Sequence, residues 1–297
     1  MYIPEHDISI AIGDIHGHAP ALEALLRGLD SEYKIFLNPR NLRLNNGVCL
    51  VQTGDKIDRG SQSLRVIEIC KALSENNDPN NFQDLFGNHE LLALAEINRA
   101  REAAKLNGEE AYRHYQERSI HGCNGGVAFI KEFSDDAQNA FKKYTERMSR
   151  EGDIGSWMRA LRPIALSQVS GKKILFIHGG IPREINSGLD LEKYVGFFED
   201  HIEQSSAVAG GPTTKYFRNE LVGGHSIFWD RQIPKAGAEN AKSLVEKIGM
   251  DYIVIGHTPQ PDIINYGNCV FNIDVGMTPH YGEREPAAII FKPAGIF

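Results

Sequence analysis

Three times within the first third of the chain an apolar run ends in a glycine-bearing polar turn that passes into a helix-period segment. Ile8, Ile10 and Ile12 alternate with smaller neighbours and lead into Gly13-Asp14-Ile15-His16-Gly17. Leu22, Leu25, Leu26 and Leu29 then recur at helical spacing, with Pro20 where a first helical turn tolerates it. Val48-Cys49-Leu50-Val51 reads as a strand buried on both faces; it ends in Gly54-Asp55-Lys56-Ile57-Asp58-Arg59-Gly60, and Leu64, Ile67, Cys70 and Leu73 follow on one helix face. Leu85-Phe86 runs into Gly87-Asn88-His89-Glu90, and Leu91 opens another helix. This succession predicts a βαβαβ core with right-handed crossovers. It also places the polar turns at the carboxyl ends of strands, where α/β sheets bind ligands.

From Leu91 to about Pro163 the pattern is helical and charged, with no strand signal, and reads as a helical insertion (about 91–163) in one domain spanning 1–297. Ala93, Ala95, Ala100, Ala103 and Ala104 predict a long first helix ended by Asn107-Gly108, and His121 to Gly126 is too glycine-rich for a helix interior. Phe129, Phe133, Phe141, Met148, Trp157 and Met158 are expected to pack on the insertion's apolar faces. Strand signals return at Lys173 to Ile177, ending in His178-Gly179-Gly180. A helix is expected from Leu189 to Ser205, a loop at Gly210 to Thr214, and a helix from Ala238 to Ile248. The strand Tyr252 to Ile255 ends in Gly256-His257, and strands at Cys269 to Ile273 and Ala287 to Phe291 flank Asp274-Val275-Gly276-Met277.

A net charge of −7 argues against a nucleic-acid partner, which would demand broad phosphate neutralisation. Cys49, Cys70, Cys123 and Cys269 show no paired metal-ligand spacing, which suits a reducing compartment. Pro4, Glu5, His6 and Asp7 stand where a signal peptide would need apolar residues, and no run reaches membrane-spanning length. The expectation is a cytoplasmic protein with no membrane partner.

Five buried strands thus end in Asp14/His16, Asp55/Asp58, Asn88/His89, His178 and His257, each beside a glycine that permits close backbone approach. Taken singly, the carboxylates have ordinary readings as turn or cap residues and the histidines as satisfied core groups. As an ordered set at strand ends they point to chemistry. Carboxylate, carboxamide and imidazole donors suit a pair of divalent ions, manganese first, with iron or zinc as alternatives. The lack of thiolates disfavours a structural zinc site.

The blocks GDIHG, GDKIDRG, GNHE, HGG and GHT resemble the signature of the phosphoprotein phosphatases within the calcineurin-like metallophosphoesterases. Asn124-Gly125-Gly126, Phe228-Trp229-Asp230-Arg231 and Ile273-Asp274-Val275-Gly276-Met277 are similar to the bacterial, Shewanella-like branch. The resemblance implies an α/β sandwich of two mixed sheets flanked by helices. It implies hydrolysis of phosphomonoesters on serine, threonine or tyrosine side chains of proteins and peptides, by direct attack of a metal-bridging hydroxide. Carried over by matched position, Asp14 and His16 would bind one metal, Asn88, His178 and His257 the other, and Asp55 both. His89, oriented by Asp58, would be the general acid; Arg59 and Arg231, with Asn88, would hold phosphate oxygens.

Lys56 departs from the family pattern; it is read as a solvent-facing side chain, or else as a contact for a second anionic group on the substrate. Together with a deep nucleotide pocket it would favour an alternative activity, hydrolysis of dinucleoside polyphosphates. A second alternative is a phosphoprotein-binding module without turnover, against which Asp58, His89 and both arginines count. The other histidines, among them His18, His121 and His201, read as ordinary polar residues, and His225 and His280 stand close enough to matched blocks to line the cleft.

Overall fold

The computed structural model describes residues 1–202 and 226–297, built on two five-stranded mixed sheets and a small hairpin. In chain order the strands are β1 (Ile8–Ile12), β2 (Phe36–Asn38), β3 (Arg43–Leu44), β4 (Val48–Gln52), β5 (Phe82–Asp84), β6 (Ile164–Val169), β7 (Lys172–Ile177), β8 (Tyr252–Ile255), β9 (Ile264–Tyr266), β10 (Val270–Asn272), β11 (Ala288–Lys292) and β12 (Gly295–Ile296). The first sheet runs β12-β11-β1-β4-β5 and the second β6-β7-β8-β10-β9; β2 pairs with β3 alone. The expected βαβαβ core is present. β1, β4 and β5 are parallel neighbours, with Ile10 opposite Leu50 and Leu50 opposite Phe82, joined through the helices Ala19–Tyr33 and Ser63–Asn76. In the second sheet β7, β8 and β10 are parallel as well.

Period-two alternation sorts each strand between two cores. Ala11, Cys49, Val51, Ile174, Phe176 and Val254 meet between the sheets. Their neighbours Ile10, Ile12 and Leu50 face the helices that cover the first sheet, and Leu175, Ile177, Ile253 and Ile255 face those that cover the second. Strands buried on both faces read as continuous apolar runs for this reason. Five of the six apolar residues expected on the faces of the 91–163 segment, all but the half-buried Trp157, are buried, in the same cluster as Leu175 and Ile253.

Several local expectations are corrected. The long helix after Leu91 is two, Asn88–Ala95 and Ile97–Ala103, interrupted at Glu96, whose buried carboxylate pairs with Arg99 Nε at 2.8 Å. Gly108 opens a further helix, Gly108–Arg118, instead of merely closing the preceding one. The third strand lies just before Leu85-Phe86; the strand expected at Cys269 to Ile273 is β10, shorter by one residue at each end, and that expected at Ala287 to Phe291 is β11, displaced by one residue. β6 escaped the pattern because Ser167 and Gln168 break its apolar run; Ser167 is nevertheless fully buried, its hydroxyl bonded to Ser9 Oγ at 2.5 Å and His6 Nδ1 at 2.8 Å. The helix before the second half is Gly188–Ile202; residues 203–205 of the expected helix, the loop at 210–214 and His225 lie outside the described residues.

Lys56 meets neither expectation. It is fully buried, its ammonium 3.0 Å from Asp84 Oδ1 and donating to Gln52 Oε1 at 3.0 Å and the Leu85 carbonyl at 2.6 Å. Burial opposes its charge, but Asp84 and Glu90 outweigh burial and hold the amine above its ordinary range. Burial pushes Asp84 up to about 6 in spite of Lys56. Removing one partner of a buried pair costs about 3–5 kcal/mol, because the other charge is left uncompensated. Lys56→Met should therefore lower the melting temperature sharply, and Lys56→Met with Asp84→Leu should recover part of the loss; thermal unfolding of both variants beside wild type checks this.

Candidate active site

The two sheets deliver their polar turns to one place. Asp14 and His16 follow β1, Asp55 and Asp58 follow β4, Asn88 and His89 follow β5, while His178 and His257 follow β7 and β8 of the other sheet; all are buried. The turns after β4 and β5 interlock backbone to backbone. Gly54 has φ of +103°, and a Cβ there would stand 2.6 Å from Gly87 Cα. Glu90 completes the joint, its carboxylate accepting the N–H groups of Asp55 at 3.0 Å, Lys56 at 2.8 Å and Gly87 at 2.8 Å. Sequence reasoning quoted Glu90 within its block but gave it no role.

Asp55 stands among three imidazoles. Its Oδ2 lies 3.5 Å from His16 Nε2 and 3.8 Å from His89 Nε2, whereas its Oδ1 lies 3.4 Å from His178 Nε2. His16, Asp55 and His89 form one group whose donor atoms lie within 4.8 Å of one another, and Asp55, His178 and His257 form a second. A carbonyl can only accept, so His16 Nδ1–H donates to the Ile57 carbonyl at 2.9 Å and His178 Nδ1–H to the Thr53 carbonyl at 2.9 Å. That fixes both Nε2 atoms toward Asp55, the arrangement of metal-binding histidines whose second nitrogen is tied to the scaffold.

Three observations test whether a cation fits here. His178 Nε2 faces Asn88 Oδ1 at 2.9 Å as well as Asp55, so electron pairs converge on a point that needs positive charge. His257 Nε2 is buried with no hydrogen-bond partner. Asp14, Asp55 and Asp274 are buried near one another: burial, then Asp274 and Asp55, push Asp14 well above the carboxylate range. Burial pushes Asp274 up to about 6, with Asp55 adding to it and the Gly276 N–H opposing. For His16 and His257, burial first and neighbouring imidazoles second hold the rings well below the usual range, hence neutral and able to donate a lone pair. The residues fit divalent ions bound through nitrogen and oxygen.

A hydrogen-bonded imidazole and carboxylate pair stands beside this cluster. His89 Nδ1 donates to Asp58 Oδ2 at 2.6 Å. Burial disfavours charge on His89, but Asp55 and Asp58 prevail and raise it; burial likewise opposes the charge of Asp58, yet His121 and His89 lower it to about 2. Arg59 extends across the front, Nη1 donating to His16 Nε2 at 2.6 Å and to the Tyr281 hydroxyl, Nη2 lying 3.0 Å from His89 Nε2. The guanidinium must release His16 before that nitrogen can bind an ion. Arg231 is exposed, with Nη2 3.5 Å from the His257 carbonyl, and so stands at the rim. A cleft of about 520 Å³ opens beside Arg59, lined by Asn124, Lys131 and His280 among others. His280 thus lines the cleft as expected, His201 bonds its own helix at the Phe197 carbonyl, and His18 bonds the Met277 carbonyl. His121 departs from its reading as an ordinary polar residue: it is fully buried and bonded to Asp58.

The pattern of the family described as calcineurin-like phosphoesterase matches residues 10–261. The chain belongs to that family. The resemblance drawn from the sequence blocks is thereby borne out, and so is the fold it implies. Among curated proteins, Shewanella-like protein phosphatase 1 of Plasmodium berghei is 26% identical over 93% of this chain and 69% of its own length. The serine/threonine-protein phosphatase C23G10.1 of Caenorhabditis elegans is 26% identical over 96% of this chain; the chain spans half the length of that relative. Among solved structures, a cold-active protein-tyrosine phosphatase of a psychrophilic Shewanella species shares the fold, with a TM-score of 0.65 at 18% identity, over 99% of this chain and 78% of that one. Phosphoesterases of this family use a dinuclear divalent metal centre, and the two donor groups here are candidates for it.

If His178 and His257 hold one ion of this phosphoesterase, His178→Ala and His257→Ala should each lower bound metal toward one equivalent and reduce turnover in parallel. Elemental analysis of the purified variants decides it, and two full equivalents in either would remove that residue from the ligand set.

Proposed function

We propose that this phosphoesterase is a metal-dependent phosphoprotein phosphatase that hydrolyses phosphomonoesters of serine, threonine or tyrosine side chains. The observation that carries the reading is the position of Asp55, one oxygen toward His16 and the other toward His178, with the His89 imidazole on the His16 side. In this reading Asp14 and His16 would hold one ion, Asn88, His178 and His257 the other, and Asp55 would offer an oxygen to each. The mixed imidazole and carboxylate donor set is compatible with manganese, the metal of this proposal, and with iron or zinc as alternatives. When bound, the ion pair supplies Lewis acidity and an activated water for in-line attack on phosphorus.

The side chains do the rest. Arg59 and Arg231 fork onto phosphate oxygens, and the Asn88 amide offers a further donor. His89 protonates the departing oxygen, and Asp58, ionised at neutral pH, holds the imidazole with its Nε2 forward. That the two relatives are protein phosphatases supports protein substrates. Lys56, which would have favoured dinucleoside polyphosphates, lies in a buried ion pair and gives that alternative no support. Four unpaired cysteines suit the cytoplasm, and among the described residues no helix is long and apolar enough to cross a membrane.

Hydrolysis of phosphoserine, phosphothreonine and phosphotyrosine peptides beside diadenosine tetraphosphate, with manganese supplied, tests the reading. Release of phosphate from a peptide in preference to the dinucleotide is expected, and the reverse preference would overturn it. His89→Asn should retain metal yet lower turnover of a phosphoserine peptide by about 10²–10⁴-fold, with a smaller loss on nitrophenyl phosphate, whose leaving group needs less protonation. Arg231→Ala should weaken inhibition by inorganic phosphate as well as turnover, and Arg231→Lys should recover little, since one ammonium cannot reproduce a two-pronged contact. Unchanged inhibition constants would withdraw Arg231 from the site.

A further inference from the structure

We propose that His121, from the helical segment between β5 and β6, is a positioning residue for proton donation: it fixes Asp58, and through Asp58 the imidazole of His89. The proposal rests on the phosphatase reading. Asp58 is fully buried and has one oxygen for each ring, Oδ2 for His89 Nδ1 at 2.6 Å and Oδ1 for His121 Nε2 at 3.0 Å. A carboxylate held at one oxygen can still rotate about its own axis and carry its partner with it. Held at both, by groups on different elements, it cannot.

The carboxylate of Asp58 can only accept, so His121 Nε2 carries the hydrogen of that bond. The Tyr115 hydroxyl lies 2.9 Å from His121 Nδ1 and holds the other edge of the ring. The ring has little room: Tyr144 lies nearly parallel to it, with ring centroids 6.2 Å apart and planes at 15°, and Gly126 lies so close that a Cβ there would stand 2.4 Å from His121 Nδ1 and Cε1. Gly126 has φ of −62°, which any residue adopts, so it is the imidazole and not the backbone that requires glycine at this position. The same turn reaches the phosphate-binding side as well, the Gly125 carbonyl accepting from the Arg59 N–H at 3.4 Å.

A histidine that only filled a core slot would, when lost, affect stability and all substrates alike. A residue that orients the proton donor affects reactions in proportion to their need for a proton. The test compares His121→Phe, which keeps the ring volume without the donor, with His121→Gln, which offers an amide N–H to Asp58. Turnover and KM are measured for a phosphoserine peptide and for aryl phosphates of graded leaving-group acidity, together with bound metal and melting temperature. His121→Phe should lower kcat on the peptide by about 10–100-fold and on nitrophenyl phosphate by no more than a few-fold, with KM and metal content near wild type. His121→Gln should recover part of the peptide activity.

Should His121→Phe fail to fold, Gly126→Ala serves as the second variant. It displaces the ring while leaving His121 in place, and should give the same dependence on the leaving group. In a His121→Ala background, where the ring is gone, Gly126→Ala should add little. Equal loss on good and poor leaving groups, or full peptide turnover in a folded variant, would overturn the proposal alone. A wild-type enzyme inactive on every phosphomonoester would overturn the phosphatase reading and the proposal with it.

Discussion

The carboxylate of Glu90 ties the turn after β4 to the turn after β5 by taking the N–H groups of Asp55, Lys56 and Gly87. Asp55 can stand between His16 and His178 only because its backbone is fixed in this way, and its Oδ1 returns the contact by accepting the His89 N–H at 3.0 Å. Hydrogen bonds to an ionised acceptor are roughly twice as strong as neutral ones, and here three converge in a space closed to water. Directly behind the joint lies the Lys56 ammonium, which balances Glu90 and Asp84. The site is therefore supported by buried charge in addition to apolar packing.

That support bears a local cost. His16, Asp55, Asp58, Arg59 and His257 all have positive φ, between 47° and 73°, among nine described non-glycine residues that do. The left-handed conformation costs an L-residue about 1–2 kcal/mol. Such a cluster persists because the hydrogen bonds and interlocked glycines around it over-determine the backbone, and strain gathered at one place is common where side chains must be aimed against backbone preference.

The sequence was informative wherever local pattern decides the outcome. Apolar runs ending in Gly13, Gly54, Gly87 and Gly256 mark the strand ends, and those ends are where Asp14, Asp55, Asn88 and His257 stand. It was silent where partners lie far apart along the chain. His121 is 63 residues from Asp58 and sits in a glycine-rich turn with no strand before it, so nothing local distinguished it from a surface histidine. Lys56 misled for a related reason: lysine belongs at the surface on average, and only the fold brings Asp84 and the Leu85 carbonyl to where its stem ends. β6 was hidden by Ser167 and Gln168, whose side-chain partners, Ser9 and His6 for the serine and Glu5 for the glutamine, lie near the start of the chain.

Because His16 follows a strand of one sheet and His178 and His257 follow strands of the other, ions held jointly through Asp55 would act as a rivet across the sandwich. Sliding one sheet over the other would have to break coordination bonds as well as apolar contacts. Occupancy then feeds directly into folding: a ligand that binds only the folded chain, present at a hundred times its dissociation constant, adds about 2.7 kcal/mol to stability. Resistance of this protein to unfolding would thus rise and fall with the divalent ions around it, so that the supply of the ions governs how long the chain survives as well as how fast it works.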